Sequence, residues 1–133
     1  MTRSVLIIDD EAEVGHALRR VLERAGYGVT TVTSSAEGLA AFAANPVDIV
    51  ITDIIMPKSH GIDVIKAIRA KGTPTRIVAI SGGGNFGPVN YQPEAITTTA
   101  YLAAAKEAGA DEALTKPFDK ADLLALLKRL FPT

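Results

Sequence analysis

Val5-Leu6-Ile7-Ile8-Asp9-Asp10-Glu11 runs four apolar residues straight into two adjacent aspartates. A short unbroken apolar run of this kind reads as a strand buried on both faces, the pattern of a parallel sheet. Asp9 and Asp10 then fall where the strand ends and the chain turns. Ligands of open α/β sheets bind at the carboxyl ends of the strands. Two neighbouring carboxylates are costly there, since unit charges ~4 Å apart repel by about 4 kcal/mol at an effective dielectric near 20. A hard cation is the obvious compensation. Strand-end aspartates also cap following helices, and the pair alone does not decide between the two uses.

Composition narrows the classes. The 133 residues suffice for one domain with a full core. Apolar residues make up 47% and the formal net charge is -1, which speaks against a disordered tail and against a basic nucleic-acid binder. With no cysteine there is neither a disulfide framework nor a thiolate metal site. No apolar stretch reaches membrane-spanning length and no secretory signal is visible, so a cytoplasmic protein without membrane or nucleic-acid partners is expected. The last helical pattern runs almost to the C-terminus, leaving no room for an output domain within 1–133.

The remaining chain alternates helices and strands. Val14, Ala17, Leu18, Val21, Leu22 and Ala25 form an apolar helical face over 11–25, which Gly26 ends. Gly28 to Val32 is a β-branched strand. Ser34 or Ser35 caps a helix over 36–44, and Asn45-Pro46 closes it. Val47 to Thr52 is a third apolar strand, again ending in a carboxylate, Asp53. Ile54 to His60 reads as a loop closed by Gly61, before a helix over 62–70 with Ile62, Ile65 and Ile68 facing the core. Arg76 to Ile80 is a fourth strand, ending at Ser81. A glycine-rich loop follows, then a helix from Pro93 to Ala108 stopped by Gly109. Glu112 to Thr115 is a short fifth strand before Lys116-Pro117-Phe118, and Asp119 caps a leucine-rich last helix.

Five strands alternating with five helices predict an α/β fold, a five-stranded parallel sheet with helices on both faces. Right-handed crossovers favour the order 2-1-3-4-5, with strands one and three flanking the switch point. Asp9, Asp10 and Asp53 then converge in one pocket, flanked by Ser81 and Lys116.

The chain resembles the receiver domain of two-component response regulators, the CheY-like family. The resemblance rests on Ile7-Ile8-Asp9-Asp10-Glu11, on Ile51-Thr52-Asp53-Ile54-Ile55-Met56-Pro57 with Gly61, on Ala79-Ile80-Ser81-Gly82 and on Lys116-Pro117-Phe118. It covers essentially the whole chain and implies a phosphorylation switch. Asp53 would be the phosphoacceptor, forming an acyl phosphate. Asp10, Asp53 and the Ile55 carbonyl would hold Mg2+ (Mn2+ being an alternative), with Asp9 reaching it mainly through water. Ser81 and Lys116 would bind phosphoryl oxygens, and the bond before Pro117 would be cis. The donor would be a sensor histidine kinase or a histidine phosphotransfer protein. An output partner would read the face of Ser81, the following loop and the fourth helix, with a phosphorylation-linked dimer as one possible outcome. Such a protein phosphorylates itself from the donor and does not turn over an external substrate. Ile55, which offers no hydrogen bond to a hydrolytic water, implies slow or moderate autodephosphorylation. His16 and His60 read as surface residues, since neither has a second ligand or base beside it.

Two departures stand out. Ala113 occupies the position, three before the lysine, where the family carries an aromatic ring that moves with the switch hydroxyl. The segment 82–99 is roughly a dozen residues longer than the family norm, and long loops in compact domains are usually functional or disordered. It is expected either to stand in for the missing ring, with Phe86 or Tyr91 filling the space beside Ala113, or simply to decorate the surface. The competing functional reading is a receiver-like interaction module that is not phosphorylated in use. A hydrolase on the same fold finds no support, for want of a further acid/base or nucleophile.

Overall fold

The opening stretch forms the strand its composition demands. Ser4–Ile8 is β1, and Val5, Leu6, Ile7 and Ile8 are each at most 1% exposed. The computed structural model describes residues 3–56, 59–81, 103–115 and 119–130. After β1 come α1 (Ala12–Arg24), β2 (Gly28–Val32), α2 (Ser35–Ala44), β3 (Ile49–Asp53), β4 (Ile55–Met56), β5 (Ser59–His60), α3 (Gly61–Ala70) and β6 (Arg76–Ser81). The helical residues 103–108 (α4), β7 (Glu112–Thr115) and α5 (Lys120–Leu130) complete the order.

The main sheet has the order β2-β1-β3-β6-β7 and every pairing in it is parallel. With β6 and β7 as the fourth and fifth strands expected from the sequence, this is the order 2-1-3-4-5. Alternate strand residues project to opposite faces, which splits the core into two layers. Leu6, Ile8, Val50, Ile77 and Ala79 pack with Phe42 of α2, Ile65 and Ile68 of α3 and Ala105 of α4. Val5, Ile7, Ile49, Ile51, Val78 and Ile80 pack with Leu18 and Leu22 of α1 and Leu123, Leu126 and Leu127 of α5. Both faces are therefore dry, which is why the strands read as continuous apolar runs.

Local signals place the helices. Ser34 is the N-cap of α2, its Oγ accepting from the Glu37 N–H at 3.1 Å. Glu37 reaches back to accept from the Thr33 N–H and hydroxyl, each at 3.2 Å, a displaced form of the capping box. Gly109 ends α4 at φ +126°, a backbone conformation that favours glycine. Among the described residues no helix is long and apolar enough to cross a membrane.

Three expectations are corrected. The stretch Ile54 to His60 is not all loop: β4 and β5 pair antiparallel, Ile55 opposite His60 and Met56 opposite Ser59, which gives backbone groups ahead of α3 partners. Ala17 and Ala25 do not join the buried face of α1; both are exposed, because α5 crosses α1 without covering them. Val64, absent from the expected core of α3, is fully buried, whereas Ile62 only borders the core. The expected start of the fourth helix at Pro93 and the segment 82–99 lie outside the described residues.

Candidate functional site

Parallel pairing brings the ends of β1 and β3 side by side, Ile8 opposite Thr52. The next residues on these strands are Asp9 and Asp53, 2% and 6% exposed. Asp10 is exposed at the start of the turn. Carboxylate oxygens of Asp9, Asp10 and Asp53 all lie within 4.8 Å of one another. At that separation and an effective dielectric near 20, each charged pair repels by roughly 3 kcal/mol, less where Asp10 faces water. Asp9 also serves the local turn: its Oδ1 accepts from the Glu11 N–H at 2.9 Å. Asp9 does not cap the following helix, whose N-cap is Glu11 with no side-chain cap; one of its oxygens closes the turn ahead of α1 while the carboxylate stays in the cluster.

Asp53 is held from several sides. It ends β3 opposite Ile80 of β6, and the following Ile54 N–H donates to the Ile80 carbonyl at 3.0 Å. The Thr52 hydroxyl donates to the Asp53 carbonyl at 3.1 Å. Gly61, the first residue of α3, lies against the same backbone. A Cβ there would collide with the Asp53 carbonyl oxygen and meet Ile54 Cα at 2.7 Å. In the sequence Gly61 closes a loop and belongs to the motif that carries the receiver resemblance. Its closer role, an approach to the Asp53 backbone that leaves no room for a Cβ, depends on tertiary packing and has no local signal in the sequence.

Ser81 ends β6 and is wholly buried, and its Oγ has no hydrogen-bond partner. Leaving a buried hydroxyl unsatisfied costs about 1–3 kcal/mol, and such sites call for a functional explanation. Ala113 stands opposite Ala79 and borders the core layer under α3, so this level of the two strands holds only methyl groups. The backbone of Ile55 lies in β4, two residues after Asp53. His16 is exposed on α1, as expected. Lys116 and Pro117 lie outside the described residues, as do Phe86 and Tyr91.

Three carboxylates are hard oxygen donors of the kind Mg2+ or Mn2+ takes, and the cluster could hold a metal ion. The profile of the response regulator receiver domain matches residues 5–128. The chain belongs to that family. As a receiver it is similar to the transcriptional regulatory protein KdpE of Mycobacterium tuberculosis, with 37% identity over 124 residues, 93% of this chain and 49% of KdpE. It is also similar to the acid tolerance regulatory protein ActR of Rhizobium meliloti, with 33% identity over 125 residues, 94% of this chain and 58% of ActR. The receiver thus spans about half the length of these curated relatives. Among solved structures, the chemotaxis response regulator CheY4 of Vibrio cholerae aligns with a TM-score of 0.78 at 28% identity, covering 98% of this chain and 100% of CheY4. A response regulator receiver domain protein of Clostridium thermocellum aligns with a TM-score of 0.78 at 32% identity, covering 96% and 92%.

Proposed function

We propose that this receiver is a phosphorylation switch that takes a phosphoryl group from a phosphohistidine onto Asp53. The observation that carries the reading is the convergence of a buried, glycine-backed Asp53 with two further carboxylates, beside a strand ending in an unpartnered buried hydroxyl. A carboxylate oxygen of Asp53 attacks phosphorus in line, an O–P bond forms and the N–P bond of the donor breaks, and the phosphohistidine ring, protonated beforehand at its other nitrogen, leaves as neutral imidazole. Asp9, Asp10, Asp53 and the Ile55 carbonyl are the groups that would hold Mg2+ or Mn2+. Bound there, the cation neutralises charge that would otherwise keep a carboxylate and a phosphoryl group apart. Ser81 donates its hydroxyl to one phosphoryl oxygen, and Lys116 sets a positive charge beside another. The donor is a sensor histidine kinase or a histidine phosphotransfer protein, and the phosphorylated face is read by an output partner through Ser81, the loop after it and α4.

Intact mass after incubation with acetyl phosphate and Mg2+ tests this, wild type beside Asp53→Asn. A phosphate-sized gain in wild type alone is expected. Ala113 favours a second reading, an interaction module not phosphorylated in use, because the level it occupies holds no ring to turn. That reading takes over if wild type gains no mass from acetyl phosphate or from a phosphohistidine donor while a known receiver is labelled in parallel.

A further inference from the structure

Ser81 on β6 and Thr115 on β7 stand directly opposite each other. They share a face of the sheet, because Ile77 and Ala79 before Ser81, and Ala113 before Thr115, all belong to the core layer under α3. Leu114, between Ala113 and Thr115, packs in the opposite layer. One step down, Ala79 faces Ala113, so at the neighbouring level of these two strands only methyl groups stand beside the hydroxyl-bearing positions. Ser81 Oγ is enclosed without a hydrogen-bond partner, whereas Thr115 is exposed. Adjacent strands lie about 4.8 Å apart, so two hydroxyls opposite each other on one face are within reach of a hydrogen bond after rotation about χ1. An enclosed serine hydroxyl therefore has one hydroxyl-bearing neighbour in register on β7.

We propose that Thr115 is a positioning residue for Ser81: a turn about χ1 from the arrangement in this structure, where Ser81 Oγ has no partner, lets the Thr115 hydroxyl receive the Ser81 hydroxyl in the resting protein, and Ser81 leaves it to meet a phosphoryl group. The second half rests on the phosphoryl role of Ser81 proposed above; the first half does not. Thr115 then competes with the phosphoryl group for one donor, and a binding-competent state that is only partly populated weakens apparent affinity. The switch hydroxyl would be restrained by a strand neighbour rather than by a ring at position 113.

The test uses the full chain and beryllofluoride with Mg2+ as the phosphoryl mimic, titrated by amide resonances. Thr115→Val removes the hydroxyl at nearly constant shape, and Thr115→Ser keeps it. Thr115→Val is expected to bind the mimic about 2- to 10-fold more tightly, the effect of one neutral hydrogen bond. Thr115→Ser should match wild type, and Thr115→Val should change nothing further once Ser81 is alanine. Without Mg2+ or mimic, three-bond couplings should show one χ1 rotamer for Thr115 in wild type and averaging in Ser81→Ala. Unchanged affinity in Thr115→Val, Thr115→Ser behaving like Thr115→Val, or effects that multiply with Ser81→Ala would each overturn the proposal. A wild type that binds no beryllofluoride sinks the phosphoryl reading, and the χ1 couplings then decide the hydroxyl pair alone. If Thr115→Val fails to fold, Thr115→Ser and the couplings in Ser81→Ala still decide it, and an averaged Thr115 rotamer in wild type overturns it.

Discussion

Asp9 and Asp53 are in electrostatic conflict, since both are buried and their carboxylate oxygens lie within 4.8 Å of each other and of Asp10. Removing one charge should therefore stabilise the metal-free protein. Asp9→Asn is the cleaner change, because an asparagine Oδ1 can still accept from the Glu11 N–H. We expect Asp9→Asn and Asp53→Asn to gain about 1 kcal/mol each, roughly 4 °C in melting temperature, with a smaller gain for the exposed Asp10→Asn. Thermal melting in chelator measures this, and equal melting of wild type and both variants would argue against a tight acid cluster. Adding Mg2+ should reverse the ranking. A ligand at 100 times its Kd stabilises by about 2.7 kcal/mol, and only the chain with all three carboxylates should receive the full effect. Asp9, Asp10 and Asp53 were legible in the sequence because each ends or follows an apolar run. The unsatisfied state of Ser81 Oγ was not, because it depends on what encloses the hydroxyl and not on the residue type.

Helix α3 couples to the site at its first residue and to the opposite end of the sheet near its last. At the first, Gly61→Ala would drive a methyl into the Asp53 carbonyl and the Ile54 backbone, neither of which can swing aside. A loss of about 2–3 kcal/mol is expected in urea denaturation. Mg2+ stabilisation of whatever folds should also shrink, because the carboxylate of Asp53 is displaced with its backbone. At the other end, Arg69 donates to the Gly109 carbonyl at 2.8 Å, to the Thr75 carbonyl at 2.6 Å and to Asp111 Oδ2 at 2.5 Å. The same Asp111 oxygen accepts from the Ile77 N–H at 2.8 Å. One guanidinium thus ties α3, the start of β6 and the turn after α4 together. Arg69 and Asp111 are about a quarter exposed, so solvent screens the pair only in part. Arg69→Ala should cost about 2–3 kcal/mol in urea denaturation and leave acetyl phosphate labelling intact, because the node sits at the far end of the strands from Asp53. Helix existence was legible from periodicity and caps, as Ser34 and Gly109 illustrate. The Arg69–Asp111 pair was not, because it joins residues 42 apart and no local pattern announces it.

The topology of the whole molecule was legible for a physical reason. Two dry faces impose continuous apolar strands, right-handed crossovers prune the orders, and carboxylates at the ends of β1 and β3 meet only if those strands are neighbours. What lay beyond reach were the places where packing leaves a face uncovered. Ala17 belongs by periodicity to the apolar face of α1, yet it is exposed in a groove of about 400 Å³ between α1 and α5. Val21 and Leu124 also line it, with Arg20, Arg24 and Lys120 and, among the described residues, no acidic one. Such a groove suits a partner that brings an apolar anchor flanked by carboxylates, and on the function proposed above that partner would be the phosphohistidine-bearing donor. Rim charges act mainly on the rate of encounter and its salt dependence, and much less on chemistry at a distant carboxylate. Reversing Arg20 and Arg24 to glutamate should therefore slow phosphotransfer from the protein donor by about tenfold at low ionic strength, with the difference shrinking as salt is added. Labelling by acetyl phosphate, which needs no docking surface, should proceed at the wild-type rate. A double variant that loses both reactions would place the two arginines in the fold or the acid pocket. One that loses neither would move the donor to another face of the receiver.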